Sequence, residues 1–456
     1  MCIKVNPGAV TPLYVTKAQV ITEGACVDPT KTQVKGQGVL TLAWELDAAE
    51  GDKYCLAVNL ALCGQAQIEM RSSVGSIVLN ADKTRGYFSD SELNFERVEF
   101  PDCIEMQSGV QSITLEITSN EFISVSSVEL YPCSFKSARE ADIAEGLRRR
   151  ADISRYAKKG YGTMFHWTGE SCPPEGEPKS YAQAVEDFDT ERFAEQLDEI
   201  GAAYMFLTAN HAIRHFPAPL AEWEHYYPGF TTKRDLIEDL YISLSRRNID
   251  LMLYLNFTAA YIDSPYAQME KDANYTELDV SRADNYFEIA TTLLNAIGNR
   301  YGEKVKGYWI DSCYQLDQQF GVDFKPFYDA AKTGYEDRIV SFNYWILPVS
   351  TPWNDFWAGE TARLANPPES CIPTFGPAKG QNYHELIVLE DDWGHFAKNT
   401  SMPDPQYDAK HLAEAAKAIQ KVGGMLTINP RVFQDGSMGK KSLEVMRELK
   451  KIVKNT

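Results

Sequence analysis

The sequence predicts a multidomain β plus α/β fold, in which an N-terminal antiparallel β-sandwich is followed by a (β/α)8-like TIM barrel. Up to about residue 135, apolar residues recur at every second position, as in 40–46 and 113–117. This spacing is typical of antiparallel strands with one solvated face. From about residue 160, strand-like runs alternate with amphipathic segments such as 235–247, which is typical of a parallel sheet covered by helices.

The chain of 456 residues is long enough for a barrel of ordinary size and an additional module. We predict a sandwich over residues 1–135, a linking helix over 136–159 and the barrel over 160–456. The predicted barrel strands are 162–167, 204–209, 250–257, 305–311, 338–344, 385–389 and 425–429, and a helix over 442–453 closes the chain. The sandwich is an accessory module that either binds carbohydrate or buttresses the barrel. Its lack of an aromatic cluster favours the buttress.

Composition excludes several classes of partner. A formal net charge of −19 argues against nucleic acid, because phosphate binding needs clustered Lys and Arg. No apolar run of about 18 residues indicates a membrane span. The N-terminus lacks the basic and apolar regions of a signal peptide, which predicts a cytoplasmic protein. A periplasmic or secreted location stays open if a leader has been removed, and the oligomeric state is open as well.

Cysteine usage indicates free thiols. The chain has nine cysteines, of which six lie in the predicted sandwich: Cys2, Cys26, Cys55, Cys63, Cys103 and Cys133. The sequence has no Cys-x-x-Cys pair, so the common zinc and redox motifs are absent. We predict buried free thiols, with disulfides as the alternative should the protein be secreted.

The segment 305–312 carries an apolar strand that ends on a carboxylate. Val305, Trp309 and Ile310 suit a buried strand, and Asp311 follows them at once. In a (β/α)8 barrel the catalytic groups lie at the C-terminal ends of the strands, so Asp311 is a candidate catalytic residue. The alternative is that Asp311 only caps the following helix.

Other strand ends in the barrel region carry aromatic, His and amide side chains. All seven histidines and seven of the eight tryptophans lie in this region. The candidates at the strand ends and the loops after them are His166, Trp167, Asn210, His211, Tyr254, Asn256, Trp309, Trp357 and Trp393. His211 and His215 stand four residues apart and could instead bind a metal, but the Glu of an HExxH motif is missing.

These residue types together indicate a pocket for a polyhydroxylated ring. Sugar C–H faces stack on aromatic rings, and sugar hydroxyls need paired donors and acceptors. Two carboxyl groups suffice for glycosidic cleavage, one as acid/base and one as nucleophile or base. The sequence therefore predicts a carbohydrate-active site in the barrel, without a metal or an organic cofactor.

The order of motifs over about 160–453 resembles glycoside hydrolase family 29, the α-L-fucosidases. The similar segments are Phe165-His166-Trp167, the region 193–211 ending Leu-Thr-Ala-Asn-His, Lys233-Arg234-Asp235-Leu236, Tyr308-Trp309-Ile310-Asp311, Trp393-Gly394-His395, and 423–430 with Asp435-Gly436. The resemblance implies an exo-acting, retaining glycoside hydrolase on a (β/α)8-like barrel.

The same resemblance implies roles for individual residues. It makes Asp311 the nucleophile and places His166, His211, Tyr254 and Trp309 around the sugar. The loop 354–360 is similar to the family loop that ends on the acid/base, which nominates Glu360. Two carboxylates of the following strand remain alternatives for the acid/base, Glu385 and Glu390.

Two departures from the family pattern bear on the substrate. Ala212 stands where a second His is expected, and Phe342-Asn343-Tyr344 replaces Asn-Asp-Arg, so a guanidinium contact to the sugar is missing. Lost hydrogen bonds to a buried sugar cost about 1–3 kcal/mol each, so the preferred sugar can differ from fucose. The two alternatives are a glycosidase of different sugar specificity and a catalytically inactive carbohydrate-binding protein on a hydrolase fold.

Overall fold

The computed structural model describes residues 2–28, 33–84, 95–211, 214–257, 280–313, 317, 322–345, 349, 351–364 and 376–454. The chain divides into two compact units. The first comprises 1–149 with the short segments 346–352 and 367–380, and the second comprises 150–345, 353–366 and 381–456. Two pieces of the predicted barrel region therefore belong to the first unit.

The first unit is a network of β-strands. They are β1 (Cys2–Lys4), β2 (Thr11–Tyr14), β3 (Gln19–Val20), β4 (Cys26–Asp28), β5 (Gln33–Ala48), β6 (Asp52–Leu62), β7 (Ala66–Arg71), β8 (Ser76–Ala81), β9 (Phe95–Glu99), β10 (Ile104–Met106) and β11 (Gly109–Pro132). Single-turn 3-10 helices cover Val15–Lys17 and Cys133–Phe135. The long strand β11 pairs antiparallel with β2, β5, β6 and β7, whereas β1 pairs with β5 in parallel.

The apolar alternation in this unit faces a single core. Leu40, Leu42, Trp44 and Leu46 of β5 are almost fully buried in one apolar cluster with alternate residues of β6, β7 and β11. The indole of Trp44 donates to the Tyr14 carbonyl at 2.9 Å, so its one polar atom is satisfied. The antiparallel pairing agrees with the sequence, and a two-layer sandwich stays a prediction.

The segment 136–159, expected to be one linking helix, forms two. Helix α1 (Lys136–Arg149) belongs to the first unit and α2 (Ser154–Lys159) to the second. Between them the Asp152 carboxylate accepts hydrogen bonds from the backbone N–H and the hydroxyl of Ser154, at 2.8 Å each. Short polar side chains that bond to nearby backbone compete with the helical pattern, which accounts for the break.

The second unit alternates strands and helices. Its strands are β12 (Gly162–Phe165), β13 (Tyr204–Thr208), β14 (Asp250–Leu255), β15 (Val305–Ile310), β16 (Ile339–Phe342), β17 (His384–Val388) and β18 (Met425–Asn429). Its further helices are α3 (Tyr181–Glu186), α4 (Thr190–Ile200), α5 (Ala221–Tyr226), α6 (Leu236–Ser245), α7 (Val280–Tyr301), α8 (Phe324–Lys332), α9 (Ala409–Lys421) and α10 (Lys440–Lys454), with a 3-10 turn over Gly302–Lys304. Each predicted strand is found within two residues of its predicted ends.

These strands form one parallel sheet in the order β16-β15-β14-β13-β12-β18-β17. One apolar cluster joins side chains from all seven strands: Met164, Tyr204, Phe206, Met252, Tyr254, Trp309, Ile339, Leu386 and Met425. The sheet must therefore curl, because side chains of its two edge strands meet the same core. Gly307 lies on this inner face, where an added Cβ would come within 2.8 Å of Met252 and Ile339.

An extended segment contacts both edges of the curled sheet. The Asp355 N–H donates to the Val340 carbonyl of β16 at 2.8 Å. On the other side, the Ala362 N–H donates to the Leu386 carbonyl of β17 at 3.0 Å, and the Val388 N–H donates back to Ala362 at 3.1 Å. The stretch 355–362 thus occupies the place between β16 and β17. No helix among the described residues is long and apolar enough to span a membrane.

Candidate active site

Three polar side chains stand at one level beyond the ends of neighbouring strands. In the sheet Leu255 pairs with Ile310, and Ile310 pairs with Phe342. The next residues along the three strands are Asn256, Asp311 and Asn343. Backbone hydrogen bonds continue to this level, from Asp311 to the Leu255 carbonyl at 2.8 Å and from Asn343 to the Ile310 carbonyl at 2.7 Å. The three side chains are therefore held by sheet geometry.

The carboxylate of Asp311 is surrounded by neutral donors. One oxygen accepts from the Tyr254 hydroxyl at 2.5 Å and from Asn256 Nδ2 at 3.2 Å. The other oxygen accepts from Asn343 Nδ2 at 2.8 Å and from the Ser312 N–H at 2.7 Å. Ser312 has a φ of 63°, a conformation that costs energy in a non-glycine residue and that is common at functional sites. These contacts orient an ionised carboxylate without neutralising its charge.

Glu360 lies on the segment between β16 and β17, two residues after a buried stretch. The preceding Gly359 has a φ of 55°, and a Cβ there would come within 1.9 Å of the His384 carbonyl oxygen. Only glycine fits this close approach to β17, so Gly359 fixes where Glu360 emerges. Burial and the nearby negative charge of Asp311 raise the pKa of Glu360 to about 8, against the lowering effect of a hydrogen bond from Asn343.

Asn343 links the two carboxyl groups. Its Nδ2 donates to Asp311 at 2.8 Å and to Glu360 Oε2 at 2.6 Å. Two oxygens within these distances of one nitrogen lie no more than about 5.4 Å apart. Carboxyl groups at about 5–5.5 Å can work as nucleophile and acid/base, whereas about 6.5–9.5 Å leaves room for an attacking water.

Aromatic and imidazole rings form a wall beside Asp311. The Tyr254 ring stacks on Trp309, with centroids 5.2 Å apart, and on His211 at 5.6 Å. The ring of His166 lies 5.1 Å from Tyr254 and 5.0 Å from Trp393. Burial, the Tyr254 contact with the Asp311 charge and the hydrogen bond between them raise the pKa of Tyr254, so its hydroxyl stays protonated as a donor.

His166 is neutral, and its tautomer is fixed. Burial and then His211 lower the pKa of His166 to about 3, although its hydrogen bond with Asn429 acts in the opposite direction. Asn429 Nδ2 donates to the Trp393 carbonyl at 2.7 Å, so its Oδ1 must be the atom that accepts from His166 Nδ1 at 2.7 Å. The proton therefore sits on Nδ1, and Nε2 is left as an acceptor.

Three of the predicted sugar-binding residues lie elsewhere. Trp167 is buried, donates to the Gln434 carbonyl at 2.9 Å and packs on Tyr181. Trp357 is fully buried and packs on Tyr383 at 5.4 Å. Asn210 uses its amide on the backbone of Asn256, which it fixes from both sides.

The reason for the two tryptophans is the alternation of side chains along extended chain. His166 and Met164 face the curled core, so the intervening residues and Trp167 face outward. Phe356 and Ala358 likewise belong to the core cluster, which turns Trp357 away. The structure brings neither indole near Asp311.

The two alternative acid/base residues have structural partners. Glu385 lies next to the core residue Leu386, is fully buried and accepts from the Tyr383 hydroxyl at 2.7 Å. Glu390 is fully buried, accepts from the Arg431 N–H at 2.9 Å and also from the Ser442 hydroxyl. Burial raises the pKa of Glu390 to about 7. Neither residue has a printed contact with Asp311.

The two histidines considered for metal binding have different ring partners. His211 stacks on Tyr254, whereas His215 packs on Tyr181 at 4.6 Å. Among the described residues, the one group of three metal-ligating side chains lies in the first unit, away from this pair in sequence. Ala212, which stands at an expected His, lies outside the described residues.

Sequence reasoning missed Asn343 and Asn429. Asn343 was noted only as a position where an arginine contact is lost. The signal that could have found it is its place after β16, which repeats the position of Asn256 after β14 and Asp311 after β15. Asn429 ends β18 in the same way.

A family model described as Alpha-L-fucosidase matches residues 131–454. Among solved structures, a GH29 α-L-fucosidase from Bacteroides thetaiotaomicron is 16% identical, with a TM-score of 0.48, over 67% of this chain and 74% of that one. The Thermotoga maritima α-fucosidase is 15% identical, with a TM-score of 0.45, over 68% and 76%. No curated protein gives a significant match.

The family match spans well over half of the chain, from the end of β11 to α10, and so includes every strand of the curled parallel sheet. It also includes Asp311, Glu360 and the polar side chains around them. The chain is a glycoside hydrolase and belongs to the α-L-fucosidase family, glycoside hydrolase family 29.

Proposed function

We propose that this protein is an exo-acting, retaining glycoside hydrolase that cleaves α-L-fucosides or a closely related sugar by double displacement. The observation that carries the proposal is the Asn343 amide, which hydrogen-bonds to Asp311 and Glu360 at once. This contact limits the separation of the two carboxyl groups to the range of retaining glycosidases.

In the first step an Asp311 oxygen attacks the anomeric carbon. The bond from that carbon to the leaving oxygen breaks, and Glu360 gives its proton to the leaving oxygen. The products are a glycosyl ester on Asp311 and a Glu360 carboxylate. In the second step this carboxylate takes a proton from water, the water oxygen attacks the anomeric carbon, and Asp311 is released.

The electrostatics favour this division of roles. Four neutral donors suit an ionised Asp311, and burial with the adjacent charge keeps the proton on Glu360 at neutral pH. When the ester forms, the Asp311 charge disappears. The pKa of Glu360 then falls, which makes it a base for the second step.

The ring wall supports a sugar as the substrate. Neutral His166 offers an acceptor at Nε2, and the half-exposed His211 and Trp393 offer ring faces beside Asp311. A neutral, partly apolar wall suits sugar C–H faces and hydroxyls better than it suits an anion. We assign His166, His211, Tyr254 and Trp393 to the sugar site, with Asn256 and Trp309 as supports.

The finer features of the fold are part of the proposal. We infer that 355–362 fills an eighth position between β16 and β17, so that the curled sheet closes as a (β/α)8-like barrel. The first unit is proposed to be a two-layer sandwich. The barrel would then use its eighth position to carry Glu360.

The stereochemistry of the first product tests the mechanism. Hydrolysis of an aryl α-L-fucoside should release the α-anomer first, which proton NMR detects before mutarotation. First release of the β-anomer would show that water, not Asp311, attacks the sugar. A chain that binds L-fucose but turns over no aryl glycoside would support the inactive binding protein instead.

One contact favours a sugar related to fucose as a second candidate substrate. Tyr344 stands where the family pattern has an arginine, is buried, and donates to the Asp317 carboxylate at 2.8 Å. A guanidinium contact to the sugar is therefore replaced by a contact within the protein. Comparing kcat/KM for aryl glycosides of fucose and L-galactose decides between the two sugars.

A further inference from the structure

Three cysteines that are far apart in the sequence meet in the first unit. Cys55 lies in β6, Cys103 directly precedes β10, and Cys133 begins the 3-10 helix after β11. The Cys55 sulfur is 3.4 Å from the Cys103 sulfur and 3.4 Å from the Cys133 sulfur. All three sulfurs lie within 4.8 Å of one another.

Strand register accounts for the cluster. Tyr54 of β6 pairs with Ile104 of β10, so the next position, Cys55, stands opposite Cys103. On its other side Cys55 pairs with Tyr131 of β11. Cys133 follows Tyr131 by two residues and so projects to the same side. The cluster is thus fixed by three adjacent strands, although no short sequence motif announces it.

The spacing of the sulfurs suits a thiophilic metal ion. Thiolates bound to tetrahedral Zn²⁺ lie about 2.3 Å from the metal, which places them about 3.8 Å from one another. The three observed sulfurs need only small rotamer changes to reach this arrangement. Cys103 is exposed and Cys55 and Cys133 are half-buried, so an ion can enter from solvent.

The charges around the cluster also suit a bound metal. Lys136 is close enough to Cys55 to favour its thiolate, although burial raises the pKa of that thiol overall. The Arg139 guanidinium lies 4.7 Å from the ring centre of Tyr131, the strand partner of Cys55. A divalent ion with three thiolates carries a net charge of −1, which these cations would stabilise.

We propose that Cys55, Cys103 and Cys133 form a Zn²⁺ site, in which each thiol releases its proton and a water completes the tetrahedron. The ion would join three strands whose cysteines are separated by 48 and 30 residues in the chain. Its role is to stabilise the first unit, because a ligand that binds only the folded state raises the unfolding temperature.

The experiment uses the reduced, untagged full chain, freed of metal and then given Zn²⁺. Bound metal is measured by elemental mass spectrometry after gel filtration, and the thermal midpoint is followed with and without Zn²⁺. The variants are Cys55→Ser and Cys103→Ser. Cys63→Ser is the matched control, because Cys63 is also half-buried in the first unit but stands outside the cluster.

The proposal expects about one Zn²⁺ per chain and a raised thermal midpoint in the wild type and in Cys63→Ser. Both effects should be lost in Cys55→Ser and in Cys103→Ser. Zinc retained by these two variants, or no zinc bound by the reduced wild type, overturns the site. A Cys55–Cys103 or Cys55–Cys133 disulfide in protein purified without a reductant also overturns it, in favour of a redox cross-link.

Discussion

Two polar clusters of this protein treat a glutamate in opposite ways. Glu129 in the first unit accepts from Arg97 at 2.9 Å and from Arg139 at 2.5 Å. Burial alone would raise the pKa of Glu129, but the two arginines outweigh it and the pKa is lowered. Glu360 in the second unit has an amide and a second carboxylate beside it, and its pKa is raised.

The difference separates a carboxylate that serves stability from one suited to chemistry. Glu129 is ionised at any ordinary pH and holds two cations in place. Glu360 keeps its proton near neutrality because ionisation would place two negative charges side by side. A raised pKa at a site with a second carboxylate is the pattern expected of a general acid, as distinct from a buried ion pair.

The largest effect is expected for the group that we assign as nucleophile. Asp311→Asn should lower kcat/KM for aryl glycosides by about 10⁴-fold, because the covalent path is lost while binding contacts remain. The thermal midpoint should change little, since an amide can keep the hydrogen bonds that accept from neutral donors. Steady-state kinetics and calorimetry measure the two quantities. Activity near that of the wild type would end the assignment.

The next effect distinguishes Glu360 from its alternatives. Glu360→Ala should slow glycosides with poor leaving groups by about 10²- to 10⁴-fold and activated aryl glycosides much less, because only the former need protonation. Added azide should yield a glycosyl azide, detectable by mass spectrometry. Glu385→Ala and Glu390→Ala are the controls. If either of them shows this leaving-group dependence, the acid lies on the strand β17 side.

A change on the other side of the comparison should affect stability alone. Glu129→Gln should destabilise the protein by about 3–5 kcal/mol, because it leaves buried arginine charge uncompensated. The matched control is Glu99→Gln, which removes a half-exposed partner of the same Arg97 and should cost about 0–1 kcal/mol. Thermal and denaturant unfolding measure both. Equal losses would mean that burial does not distinguish the two pairs.

The two glutamates should also give opposite pH dependences of stability. The pKa of Glu129 is lowered on folding, so its contribution is present above its unfolded value of about 4.5 and fades as the pH falls. The pKa of Glu360 is raised, so its favourable contribution is lost as the pH rises through about 8. Glu360→Gln should therefore be relatively more stable than the wild type at pH 9 than at pH 6.

The smallest effect concerns the amide between the carboxyl groups. Asn343→Ala should lower kcat/KM by about 10- to 100-fold, the loss of one hydrogen bond to a charged group. The wild-type rate should fall above about pH 8, where Glu360 loses its proton, and this limb should move upward in the variant because Asn343 lowers the pKa of Glu360. Asn256→Ala, which removes a contact to Asp311, should weaken activity without moving the limb.

Most of the parallel sheet could be predicted from the sequence, because its strands are short apolar runs bounded by polar residues. The same logic predicted Asp311, Tyr254 and Asn256, since a strand end fixes the level of a side chain. It did not predict which way a side chain points. Trp167 and Trp357 follow the correct strands, but each is one residue out of phase with the inward positions.

The remaining parts depend on contacts between distant residues. Asn343 gains its importance only when β15, β16 and the 355–362 segment come together, which no local pattern shows. The break of the 136–159 helix needs the local bond between Asp152 and Ser154. The cysteine cluster depends on the register of three strands, so the expectation of buried free thiols holds for Cys172 and Cys313 but not for the exposed Cys2 and Cys103.

The division of the chain also has a consequence for engineering. Glu360 lies on 353–366, a piece of the second unit whose flanking segments 346–352 and 367–380 both belong to the first. A cut after residue 149 would therefore not release a self-sufficient catalytic fragment. It would leave these two segments without the unit to which they belong, on both sides of the acid/base residue. Exchange of the N-terminal module between relatives would have to carry all three segments together.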